Sequence, residues 1–136
     1  MTKGKNNITG VTGEYFVCAE LGYRNILAIP TPKNNPLFDL LAADLQAERI
    51  VAIQVKTMSK GNKQGWRLNK GIIIPKNNQN LFAILVNLKN DGGGDYYIFR
   101  YDELSKKKLG KIMRTIYQQI KETVPQERML TLGGSI

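Results

Sequence analysis

Asp39 lies in the stretch Pro36-Leu-Phe-Asp-Leu-Leu-Ala-Ala43, and Gln54 and Lys56 lie in Arg49-Ile-Val-Ala-Ile-Gln-Val-Lys-Thr57, just beyond a short polar break. An aspartate and a side-chain amide offer the hard oxygen atoms that Mg²⁺ or Mn²⁺ takes, with the remaining positions left to water or phosphate. A lysine beside them can neutralise charge on a phosphorus under attack or, if burial lowers its pKa, help take a proton from the attacking water. The residues leave both lysine roles open. Three such groups in two strand-like runs point to metal-assisted hydrolysis of a phosphodiester.

The runs must position them. Both are rich in Val, Ile, Leu and Ala and bounded by turn or charged residues, so each reads as a largely buried strand, and alternation puts Gln54 and Lys56 on one face. If Leu45 faces Glu48, or Asp44 faces Arg49 across a longer loop, Asp39 falls opposite Gln54. A two-residue shift puts it opposite Lys56. The intermediate register would turn Asp39 to the other face of the sheet and dissolve the site.

This pattern resembles the PD-(D/E)XK nuclease superfamily, in which an acid at the end of one strand is followed by a (D/E/Q)-x-K triplet on the next. Asp39 matches the first element and Gln54-Val55-Lys56 the second. Within the superfamily the chain is most similar to the Holliday-junction-resolvase-like and restriction-endonuclease-like branches, where a preceding helix adds a glutamate; Glu14, in Gly10-Val-Thr-Gly-Glu14-Tyr-Phe-Val-Cys-Ala-Glu-Leu-Gly22, fits that position. The likeness is good over residues 10–60 and elsewhere extends only to the order of elements. It implies a restriction-endonuclease-like α/β fold, a mixed sheet flanked by helices, and a Mg²⁺- or Mn²⁺-dependent DNA endonuclease, acting on branched or specific duplex DNA. Asp39, Glu14 and Gln54 would ligate the metal, with Lys56 completing the catalytic set. Gln54 departs from the usual acid and lowers the site's negative charge, which Glu14 would offset. The alternative is a catalytically inactive nucleic-acid-binding protein that keeps the nuclease fold. Each residue also has a plainer use: Asp39 accepting backbone N–H groups in a turn, Lys56 extending from a strand end, and Glu14 complementing a helix dipole after a Thr12 N-cap.

Composition sets the bounds. A chain of 136 residues is expected to form one domain, with a polar N-terminal tail at residues 1–8 and a C-terminal tail at 125–136 that ends in a short apolar stretch. Twenty Lys and Arg against 11 acids give a net charge of +9, which favours a polyanionic partner, DNA first among them. With no histidine, Ser-His-Asp hydrolysis, His-type zinc sites and His-dependent nuclease mechanisms are excluded. The single cysteine, Cys18, reads as a small apolar packing residue in a reducing cytoplasm. No apolar run is long enough for a signal core or a membrane span.

Helical spacing of Tyr15, Phe16 and Ala19 predicts a helix over 12–22 that stops at Gly22, with Glu20 pointing away from Glu14 into solvent. A strand over 25–30 leads through the turn-rich Thr31-Pro-Lys33-Asn-Asn-Pro36 to Asp39. After Lys56 come Lys60, Lys63, Arg67 and Lys70, which with Lys33 are the candidate DNA contacts, and Trp66 among them either stacks on a base or anchors the segment in the core. A strand over 81–88, a Gly92-Gly-Gly94 hairpin loop and a strand over 96–100 follow. Asp102 reads as the N-cap of a helix through Leu104, Leu109, Ile112 and Ile116, whose basic face is solvated or touches DNA. Cutting two strands or a symmetric junction calls for two sites, so a homodimer or higher homo-oligomer is expected.

Overall fold

A computed structural model describes residues 3–32, 38–58, 66 and 76–108. Helix α1 (Lys3–Tyr23) is followed by strands β1 (Leu27–Pro30), β2 (Leu40–Ala43), β3 (Ile50–Met58), β4 (Leu81–Leu88) and β5 (Gly94–Arg100), then by helix α2 (Tyr101–Lys108). The strands form one sheet in the order β1-β2-β3-β4-β5. All neighbours are antiparallel except β3 and β4, which run parallel. This is the mixed sheet with flanking helices expected from the sequence. Among the described residues no helix is long and apolar enough to cross a membrane.

Helix α1 begins well before residue 12, and residues 3–8, expected as a tail, form its first turns. Thr12 is not an N-cap: its hydroxyl donates back to Ile8 O at 2.7 Å inside the helix. Gly10 and Gly13 depress local helix propensity, by about 1 kcal/mol each relative to alanine, which is why the sequence pattern started late. Gly13 has a tertiary reason to be there, since a Cβ at this position would collide with the Thr57 side chain of β3. The stop is at Asn25, not Gly22. Asn25 takes the left-handed conformation (φ 67°), and the bonds Asn25 N–H to Gly22 O (3.0 Å) and Ile26 N–H to Leu21 O (2.9 Å) form a Schellman motif. Glu20 pairs at the surface with Arg24 at 3.3 Å, one turn on.

Two apolar layers hold the sheet. On one face, Val17 and Leu21 of α1 pack with Leu40, Ala42, Val51, Ile53, Val55, Ile84 and Ile98. On the other, Met58, Leu81, Ala83, Leu85, Tyr97 and Phe99 meet Trp66 and α2, through Tyr101 and Leu104. Strand β4 is buried on both faces and reads as a continuous apolar run for that reason. Trp66 is 1% exposed. Its indole N–H donates to Val86 O at 2.8 Å, and its ring meets Tyr97 edge-on at 5.6 Å. Trp66 is therefore the core anchor of its segment.

The β4–β5 hairpin closes through Gly92, whose φ of 92° only glycine adopts freely, and through Gly93 N–H on Asp91 Oδ1 at 2.9 Å. Asp102 does not cap α2. It lies within the first turn, and its two carboxylate oxygens take the N–H groups of Lys76 (2.6 Å) and Asn78 (3.1 Å), fixing the approach to β4. The expected continuation of this helix past residue 108 and the tail at 125–136 lie outside the described residues.

Candidate functional site

Strands β2 and β3 pair with Leu40 opposite Ile53, Ala42 opposite Val51 and Ala43 opposite Ile50. The ladder ends at Leu40, and Asp39, one residue before it, bends so that its own N–H also reaches Ile53 O at 2.9 Å. The turn fixes the register: Ala47 is left-handed, its N–H reaches Asp44 O at 3.1 Å, and Asp44 Oδ1 takes Glu48 N–H at 3.0 Å. Because Ile53 and Val55 pack beneath α1, alternation within β3 sends Gln54 and Lys56 to the opposite face. Asp39, at a bend just before β2, is half-buried, as are Gln54 and Lys56. Across β1 to β3 the same face carries the exposed side chains of Leu27, Ile29, Leu41 and Ile50, so Gln54 and Lys56 stand beside open surface where the Trp66 layer ends.

Asp39 is held with more care than a loop acid. The chain bends there. Its N–H donates to Ile53 O at 2.9 Å, and its C=O accepts Thr31 N–H at 2.8 Å. Its carboxylate Oδ2 accepts the N–H of Val55 at 2.8 Å. That amide lies inside the Gln54-Val55-Lys56 triplet, so the acid is tied to the backbone between the amide and amine side chains. The Thr31 hydroxyl donates to Phe38 O at 2.9 Å, on the segment that leads into this bend. The plain role foreseen for Asp39, accepting a backbone N–H, is thus filled by Oδ2, while Oδ1 has no hydrogen bond among the described residues. Thr31 was missed by sequence reasoning, which took it as the opening of a turn; its only signal was its place directly across the hairpin from Asp39.

Glu14 follows Gly13 and so stands level with Thr57, the neighbour of Lys56, but in the α1 layer, across the sheet from Gln54 and Lys56. It is mid-helix, so the first-turn dipole role falls away. Burial, then the nearby Glu14 carboxylate, push the Cys18 thiol up from its ordinary pKa. Tyr96, held by burial and by the charges of Glu20 and Asp95, is pushed up to about 12. Lys33, Lys60, Lys63, Arg67 and Lys70 lie outside the described residues.

The donor set suits a hard cation in one way only. Among the described residues no three acidic, thiol or imidazole side chains cluster as a cation cage. An ion here would rest on Asp39 Oδ1 and the Gln54 amide oxygen, with water or phosphate completing its shell, the sparse protein ligation typical of Mg²⁺.

No protein-family profile and no curated protein matches the chain. Among solved structures it is similar to a bacterial homing endonuclease, I-Ssp6803I, with a TM-score of 0.51 over 90% of this chain and 96% of that chain. The fold is endonuclease-like. At 12% identity the likeness is one of fold, not of site residues.

Proposed function

We propose that this chain is a Mg²⁺- or Mn²⁺-dependent DNA endonuclease of the PD-(D/E)XK type with glutamine at the usual acidic position. The observation that carries the reading is the Asp39 carboxylate bonded to the Val55 amide at 2.8 Å, which locks an acid to a Gln-x-Lys triplet on an open sheet face. The endonuclease-like fold and the net charge of +9 support it. Asp39 Oδ1 and Gln54 hold the cation, and Glu14, carried in the α1 layer across the sheet from Gln54 and Lys56, is not part of this ligand set. A bound divalent ion supplies a water of lowered pKa and polarises the phosphoryl oxygen. Lys56 sets its ammonium against the charge that gathers on phosphorus as the water oxygen bonds to it and the ester P–O bond breaks, the proton passing to the leaving alcohol. Lys33, Lys60, Lys63, Arg67 and Lys70 are the proposed backbone contacts, and a homo-oligomer supplies the second site that a two-strand cut needs.

The test is cleavage of linear, supercoiled and four-way-junction DNA with Mg²⁺ or Mn²⁺. Wild type is expected to nick or cut at least one form and to stop on chelation, and Asp39→Ala and Lys56→Ala to abolish cutting. Salt-sensitive binding without cleavage, unchanged by chelator and by Asp39→Ala, would instead establish an inactive binding protein.

A further inference from the structure

We infer that residues 109–121, outside the described residues, form a further helix whose apolar stripe seats on the open face of β1–β3 and whose Lys111, Arg114 and Lys121 meet DNA beside Lys56. The DNA half of this inference rests on the nuclease reading above. The seat is visible in the sheet. Leu27 and Ile29 of β1, Leu41 of β2 and Ile50 of β3 share the face that carries Gln54 and Lys56, and each is between 38% and 64% exposed. Ala43 stands between Leu27 and Ile50, and Ala52 beside Leu41, so these six positions carry no charge and offer nothing to phosphate. Four aliphatic side chains at that exposure present a few hundred Å², short of the roughly 800 Å² per partner that a stable dimer buries. One amphipathic helix is the smaller occupant that fits.

The chain supplies such a helix, and brings it to the right place. Arg100, Phe82, Ile53, Leu40 and Pro30 form one row across all five strands, so β5 ends one residue from the level of Ala52, Leu41 and Ile29. Helix α2 then opens on the same face, where Tyr101 and Leu104 join the Trp66 layer. Beyond it Ile112, Met113, Ile116 and Ile120 fall within about 100° of one another on a helical wheel, and their centre lies about 130° round the axis from Leu104. One straight helix therefore cannot press Leu104 and this stripe onto the same sheet. Gly110, a weak helix former, stands between them where the axis must turn. From residue 112 to 120 a helix runs about 12 Å, enough to cross the two strand gaps of about 4.8 Å from β3 to β1. Lys111, Arg114 and Lys121 gather on the side opposite the stripe, and so face away from the sheet. Seated over Ile50 and Ala52, the helix leaves Lys56 open, about 13 Å further along β3.

The experiment uses the full chain carrying Cys18→Ser, so that introduced thiols pair only with each other. Leu41→Cys is combined in turn with Ile112→Cys, Met113→Cys and Ile116→Cys and oxidised at low protein concentration. A disulfide within the monomer is expected in at least one of the three, and none when Leu41→Cys is combined with Arg114→Cys. Disulfides only between chains would show that a second copy takes the face, and no disulfide in any of the three would show that the segment does not reach it; either overturns the proposal. The second measurement compares DNA binding by wild type and by Lys111→Gln/Arg114→Gln across a salt series. Loss of two phosphate contacts should make the slope of log K against log salt shallower by about 2. An unchanged slope overturns the DNA contact. Should wild type bind no DNA while the intrachain disulfides form, the nuclease reading fails, the DNA half of the proposal is overturned and the seat is upheld.

Discussion

Replacing Asp39 by asparagine separates what its two oxygens do. The bond from Val55 N–H to Oδ2 is 2.8 Å long and charge-assisted. Hydrogen bonds to ionised groups contribute about 1.5–3 kcal/mol against about 0.5–1.5 for neutral ones, and half-burial puts this one at the lower end. Asparagine keeps an acceptor at nearly the same place, so its cost is about 1 kcal/mol, a fall of about 4 °C in Tm for a domain of this size. Alanine leaves the Val55 amide without that acceptor and costs about 1–3 kcal/mol. On the proposed metal-site reading, cation binding behaves differently, because it needs the negative charge, which both variants remove. Losing several kcal/mol of transition-state stabilisation, at a factor of ten for each 1.4 kcal/mol, lowers kcat/KM by about 10²–10³-fold or more. Asp39→Asn is therefore expected to fold, melt slightly early and be nearly inactive, as read by thermal unfolding beside Mg²⁺-dependent plasmid nicking. If Asp39→Asn nicks within about 10-fold of wild type while melting as stated, Asp39 serves only the backbone and the reasoning is refuted.

Three further outcomes follow from the packing. Gly13→Ala should destabilise the fold by about 1–3 kcal/mol through collision with the Thr57 side chain, outweighing a helix-propensity gain of about 1 kcal/mol; the double variant Gly13→Ala/Thr57→Ala should recover much of it in denaturant unfolding, and additive losses would contradict the contact. Trp66, the single tryptophan, is 1% exposed, so its emission should hold steady when DNA is added, whereas quenching on saturation would indicate base stacking. Tyr96 holds its proton up to about pH 12 when folded but releases it near its ordinary value of 10.0 when unfolded, so stability should be insensitive to this group below about pH 10 and fall as pH rises from there to about 12. Tyr96→Phe should flatten that alkaline slope, and an unchanged slope would show that Tyr96 does not carry it.

Much of the sheet could be read from local pattern because its two faces differ so sharply. Strand β4, expected over 81–88, has those bounds, since an apolar run between polar turns has few other fates. The β2–β3 register, with Leu40 opposite Ile53, was among those that the alternation of β3 allowed, and Ala47 with Asp44 selects it. What escaped the sequence was tertiary. Gly13 looked like a reason for the helix to be absent and is instead where α1 touches β3. Asp102 looked like a local cap and instead holds the backbone of residues 76 and 78, far off in the chain. Gly22 looked like a helix stop, but the left-handed position fell on Asn25, which the dihedral alone reveals. For the site, alternation indicated that Gln54 and Lys56 share a face, whereas the bend that sets Asp39 Oδ2 on the Val55 amide is a tertiary arrangement that no residue pattern encodes.

The central claim is that Asp39 Oδ1 and the Gln54 amide share a divalent cation beside Lys56. A crystal grown with Mn²⁺, measured for anomalous scattering, tests it most directly. The account predicts a peak in direct contact with Asp39 Oδ1 and Gln54 Oε1 on the open face of the sheet; a peak elsewhere, or none at Mn²⁺ concentrations that support cleavage, would contradict it.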